Sequence, residues 1–100
     1  MELVLKIDGQ DITFVAPFLS GRKLRDTVEM SDKLQKEEMT VEQVDSMADY
    51  VAYIYGAQFT RDQFYDGISS DQVLPKLTEC ISTVMGKLNT KLEALVDPNV

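Results

Sequence analysis

Met39-Thr40-Val41-Glu42-Gln43-Val44 and Phe59-Thr60-Arg61-Asp62-Gln63-Phe64 spell one device twice. An apolar residue precedes a threonine, a glutamine follows three places on, and a second apolar residue comes next. Such a threonine can accept from the amide three residues ahead while the glutamine reaches back to the threonine amide. The apolar pairs, Met39 with Val44 and Phe59 with Phe64, can staple the chain where it turns into the helix. Ile68-Ser69-Ser70-Asp71-Gln72-Val73 has the same form. Helix starts are therefore written at residues 40, 60 and 69. They define architecture and carry no chemistry.

The first start predicts a helix from Val41 to Tyr55, with Val44, Met47, Ala48, Val51, Ile54 and Tyr55 on one side at helical spacing. Gly56 can close it in the left-handed conformation. On the opposite side fall Glu42, Asp45, Asp49 and Tyr53, with Tyr50 at the margin. A tyrosine among carboxylates offers a large contact area at low entropic cost, so these five residues form one candidate partner-binding face. The other reading of Tyr53 is a residue packed on another helix of the same domain.

The second start predicts a short helix from about Arg61 to Asp66, ended by Gly67. After the third, Pro75 removes an internal bond and crowds the preceding turn. Either that first turn is separate or the long helix begins near Leu74. From there Leu74, Leu77, Ile81, Val84, Met85, Leu88, Leu92 and Leu95 make a stripe on the order of 33 Å long. Its last turns, with Leu88, Leu92 and Leu95 as candidate partner-binding residues, either overhang the core to meet a partner helix or another copy, or fold back over the hairpin. Asp97-Pro98 ends the helix, and residues 97–100 are expected to fray.

Towards the N-terminus, Leu3 to Ile7 and Gln10 to Val15 flank Asp8-Gly9, a strong signal for a hairpin closed by a type I′ turn. The register then sets Ile7 opposite Gln10, Lys6 opposite Asp11, Leu5 opposite Ile12 and Leu3 opposite Phe14. Leu3, Leu5, Ile7, Ile12 and Phe14 share one face, and Lys6 and Asp11 pair on the other. A lone hairpin is marginal in water, so helices must cover its apolar face. Its edges either accept a partner's strand or are merely short and solvated. Pro17 breaks the strand, and Ser20 caps a helix from about Gly21 to Lys36 whose buried side is marked by Leu24, Val28 and Leu34, with Thr27 and Ser31 beside them. Lys36-Glu37-Glu38 connects it to the next. The expected fold is mainly helical α+β, an N-terminal β-hairpin packed on a bundle of about four helices with the last one long, in a single domain over residues 1–96.

One hundred residues, 44% of them apolar, suit one globular domain with a small core. A single cysteine, Cys80, leaves no internal disulfide and suits a reducing compartment. Met1-Glu2 is followed by neither a basic region nor an apolar run, so no signal peptide is expected. No stretch reaches the roughly 20 apolar residues that span a bilayer, and a soluble, cytoplasmic chain without membrane contact is expected. The net charge is −7, concentrated between Glu37 and Glu79, where nine acidic residues meet two basic ones. That balance opposes nucleic-acid binding, which needs a basic footprint. It suits either a basic partner or a surface that only keeps the chain soluble.

The chain has no histidine, the commonest general base and metal ligand at neutral pH. It shows no Gly-rich phosphate loop and no zinc spacing, and its carboxylates lack the alternation and central glycine of a calcium loop. No catalytic, metal or cofactor residue is assigned. Cys80, beside the apolar stripe, reads as buried rather than nucleophilic. Asp45-Ser46-Met47 looks like the Asp-Ser-Leu of acyl carrier proteins, whose serine opens a helix; here Ser46 lies in the second turn of a helix begun at Thr40, and the hairpin has no place in that fold.

The order of the pieces resembles the small tail assembly chaperones of long-tailed, siphovirus-type phages of Gram-positive bacteria. The likeness rests on the Leu3–Gly9 hairpin start, Ala16-Pro17-Phe18-Leu19-Ser20 leading into Arg22-Lys23-Leu24-Arg25-Asp26, and a helix ending in Tyr55-Gly56. It continues through Gln58-Phe59-Thr60, Phe64-Tyr65-Asp66-Gly67-Ile68, the Asp71–Pro75 segment and Val84-Met85-Gly86. The resemblance implies a non-enzymatic protein of the infected host's cytoplasm, absent from the finished virion. Such proteins bind the aggregation-prone tape measure protein, keep it soluble and recruit the tail tube subunit. They often have a longer frameshifted form. The reading of the residues themselves adds coating of the client by many copies, self-associating where Leu88, Leu92 and Leu95 touch the client or a neighbouring copy. The reading from a different class is a small acidic adaptor with one structured partner, which a tight one-to-one complex would favour.

Overall fold

The computed structural model describes residues 1–96 of the chain, with the side chains of residues 1–86. Strands β1 (Glu2–Ile7) and β2 (Gln10–Val15) form an antiparallel hairpin, followed by helices α1 (Gly21–Lys36), α2 (Val41–Ile54), α3 (Arg61–Gly67) and α4 (Val73–Val96). A single 3-10 turn, Ser70–Gln72, leads into α4. This is the α+β architecture expected, and the hairpin register is the predicted one, extended by Val4 opposite Thr13 and Glu2 opposite Val15. Asp8 and Gly9 both take positive φ, 53° and 79°, as a type I′ turn requires. The expected tail at 97–100 lies outside the described residues.

The three helix starts differ in how completely they are built. At α3 the box closes: Gln63 N–H donates to Thr60 Oγ1 (3.1 Å) and Thr60 N–H to Gln63 Oε1 (2.9 Å). Phe59 stacks on Phe64 beneath it, with ring centroids 6.2 Å apart. At α2 only half forms. Thr40 Oγ1 accepts from Gln43 N–H, but the Gln43 side chain is buried and donates instead to Lys33 O, joining α2 to the end of α1. Met39 is 56% exposed, so the staple expected with Val44 is not a buried one. At Ser69 no side-chain cap forms; the turn is separate, and Pro75 occupies the first turn of α4, where its missing N–H leaves no helical bond unmade. Thr60→Ala is expected to lower unfolding stability by about 1–2 kcal/mol, read as a lower urea midpoint at unchanged slope.

Helix α2 ends in a Schellman motif. Gly56, at φ 74°, donates to Tyr53 O (3.0 Å) and Ala57 to Ala52 O (2.8 Å). The core lies where β1, α2, α3 and the first turns of α4 meet. Leu3 and Leu5 of β1 join Met47, Val51, Ile54, Tyr55, Phe59, Phe64, Leu77 and Cys80, all buried. Three apolar assignments change. Val28 is exposed on α1, whose inner side is instead Thr27, Met30 and Leu34. Leu74 is exposed, and Val73, Leu77, Cys80 and Ile81 carry the inner face of α4. Ile12 keeps its predicted side of the hairpin but is 37% exposed there, because among the described residues no helix extends beneath β2 as α3 does beneath β1.

Candidate interaction surface

Helices α1 and α2 meet through tyrosines. Thr27 Oγ1 donates to Lys23 O (2.7 Å) and lies 2.5 Å from the Tyr50 hydroxyl, in a wholly buried contact. Burial pushes the Tyr50 hydroxyl up to about 12, so it stays protonated. At 5% exposure Tyr50 is a core residue, which corrects its expected place at the margin of the outer face. Its ring has been turned inward because α1 crosses on that side.

Tyr53 packs on α1, as the second reading of it expected. Its hydroxyl donates to Asp26 Oδ2 (2.7 Å), and Lys23 Nζ sits over its ring, 5.6 Å from the centroid. It is nevertheless more than a third exposed. The Tyr53 hydroxyl, and then the Arg25 guanidinium, hold the Asp26 carboxyl below the usual carboxylate range; Asp26 in turn raises Tyr53. Asp26, Glu29 and Met30 of α1 and Asp49, Tyr50 and Tyr53 of α2 line a groove of about 440 Å³ between the helices. Its floor is apolar and aromatic, and its rim is mainly acidic.

Asp49, at the rim of this groove, and Asp45, outside it, both bond residues of α3. Arg61 Nε donates to Asp49 Oδ1 (2.8 Å), its Nη2 engages Oδ2, and the Tyr65 hydroxyl donates to Asp45 Oδ1 (2.6 Å). The Arg61 hydrogen bond lowers Asp49, and Arg61 is raised in return. Burial first, and Asp45 second, push Tyr65 up to about 12. Of the predicted acidic face, Glu42 is exposed, while Asp45 and Asp49 hold α3 against α2. Leu88, Leu92 and Leu95 lie on α4 beyond the described side chains.

Sequence reasoning did not single out Phe18, which is 84% exposed, nor Val41, also exposed. Phe18 follows Pro17 outside any periodic segment, so no pattern marks which way it faces. Ser46 Oγ donates to Glu42 O (3.0 Å) and accepts from Lys33 Nζ (3.3 Å), the setting of a helix-interior serine rather than a helix-opening one. Burial pushes the Cys80 thiol up to about 12, leaving it protonated and enclosed. Among the described residues no group of histidine, cysteine or carboxylates could hold a metal ion, and no helix is long and apolar enough to cross a membrane.

What the fold defines is a small, mainly helical α+β domain. The family model for phage tail chaperone proteins matches residues 1–95, nearly the whole chain. The chain belongs to that family, and its role is that of a tail assembly chaperone. No curated protein and no solved structure matches it.

Proposed function

We propose that this chaperone binds the tape measure protein of a long-tailed phage, keeps it soluble in the host cytoplasm and brings tail tube subunits to it, without entering the virion. The family match over residues 1–95 carries this reading. The contacts assigned to the client are the apolar side of the last turns of α4, through Leu88, Leu92 and Leu95. The α2 surface around Glu42 and Tyr53 joins them, with Asp45, Asp49 and Tyr50 holding that surface in place. Many weak copies acting along one client give avidity without a tight single site. A frameshifted longer form would carry the contact to the tube subunit.

Co-expression with the tape measure protein tests this. The client is expected in the soluble fraction with the native chain and in the pellet without it. Leu92→Asp combined with Leu95→Asp should return most of it to the pellet while the circular dichroism spectrum is kept. Equal client solubility with and without the chaperone overturns the reading. Unchanged solubility with the double variant overturns only the assignment to α4.

A further inference from the structure

The two edges of the hairpin are finished differently. Mutual backbone bonds in an antiparallel pair fall on alternate residues. The two-residue turn places them on Ile7–Gln10, Leu5–Ile12 and Leu3–Phe14, and the bond from Ala16 N–H to Met1 O (3.0 Å) continues the series. Glu2, Val4 and Lys6 therefore direct their N–H and C=O groups out from β1, and Asp11, Thr13 and Val15 direct theirs out from β2. The β1 edge is guarded. Lys76 Nζ donates to Glu2 O (3.4 Å), and Gly67 lies so close to Lys6 that a Cβ there would meet its carbonyl oxygen at 2.8 Å.

Among the described residues the β2 edge has one guard, at its end, where Gln58 Nε2 donates to Val15 O (2.8 Å). Among the described residues no helix makes an extended contact with β2. Five of its six residues are exposed, and it contains no lysine, proline or bulge, the usual devices that keep a sheet edge from pairing. It also carries an apolar residue, Ile12, exposed on the core-facing side. Beside it Phe14 stands edge-on to Phe59, with centroids 5.0 Å apart.

We propose that β2 pairs antiparallel with β2 of a second copy, about a two-fold axis at Thr13, making one four-stranded sheet in the order β1-β2-β2-β1. The strand is self-complementary in that register. Thr13 faces Thr13, Ile12 faces Phe14 twice, and Asp11 faces Val15 twice, so no like charges oppose. The Ile12–Phe14 pairs are the β-branched and aromatic pairs that stabilise sheets, and they extend the Phe14–Phe59–Phe64 cluster across the axis. A register centred on Asp11 would set two carboxylates face to face. The contact spans only two short strands, below the roughly 1,200 Å² of a standard interface, so the dimer is weak and concentration-dependent. The inference rests on the hairpin alone and stands apart from the identity of the client.

Sedimentation equilibrium of the full chain is expected to show a mass rising from 11.3 kDa towards twice that value with concentration. Thr13→Pro removes an outward N–H that the hairpin does not use, and should hold the mass at that of one chain. As a second measurement, Thr13→Cys in a Cys80→Ser background should form a disulfide dimer on mild oxidation. Mutually bonded residues lie about 5.5 Å apart at Cα, within disulfide reach. Gln35→Cys in the same background should not. A native chain that stays monomeric, cross-linking equal at both positions, or association unaffected by Thr13→Pro each overturns the proposal. A monomeric chain whose Thr13→Pro variant loses client solubilisation would instead assign this edge to an extended segment of the client.

Discussion

Phe64→Ala is expected to lower the unfolding free energy by about 3–5 kcal/mol. Phe64 is buried, stacks on Phe59, and lies 6.2 Å from the neighbouring Tyr65 ring. It joins the only two fully buried residues of β1, Leu3 and Leu5, to the helices. Deleting the ring leaves a hole between elements that cannot collapse, because α3 is also held by Arg61 and Tyr65 on the far side. Domains of this size have about 5–15 kcal/mol in total, so the variant should be partly unfolded at 37 °C. Urea unfolding followed by circular dichroism reads the effect. A loss below about 1 kcal/mol would show that the aromatic cluster is not the joint between hairpin and helices.

Gly67→Ala is the second large effect, expected at about 2–3 kcal/mol. A methyl group at Gly67 would meet Lys6 O at 2.8 Å, Lys6 N at 3.0 Å and Leu5 Cβ at 3.0 Å. Two of these are backbone atoms of β1 and cannot rotate aside, so α3 must lift from the strand. Amide exchange should therefore accelerate in β1 and α3 while the middle of α2 stays protected. Gly86→Ala, with no described atom of another element within 4 Å of the added carbon, should go the other way by about 1 kcal/mol, since alanine favours a helix interior. If both substitutions changed stability alike, close approach would not be what Gly67 provides.

Local devices were the legible part of this chain. The Asp8–Gly9 turn sets the strand register by itself, and the Thr60 box needs only residues 59–64. What could not be read depends on contacts between residues far apart in sequence. Tyr50 lies one helical step from the predicted outer face, and its inward turn is decided by Thr27, 23 residues away. Asp45 and Asp49 look like solvated charges until Arg61 and Tyr65 come round to meet them. Gln43 has the spacing of a capping residue, yet it bonds the end of α1, which no rule of spacing could announce. The tail chaperone family was legible in the order of the pieces, because that order survives even where single assignments such as Val28 and Leu74 do not.

The docking of Phe64 and Gly67 onto β1 has a consequence during synthesis. Leu3 and Leu5 leave the ribosome first, but the residues that cover them follow about sixty positions later. At about 5–20 residues per second the young hairpin waits several seconds with its apolar face bare and both edges unguarded. A tail chaperone with this order of elements thus begins life with its own apolar strand uncovered, and the segment that shelters it is among the later parts of the same chain to be made.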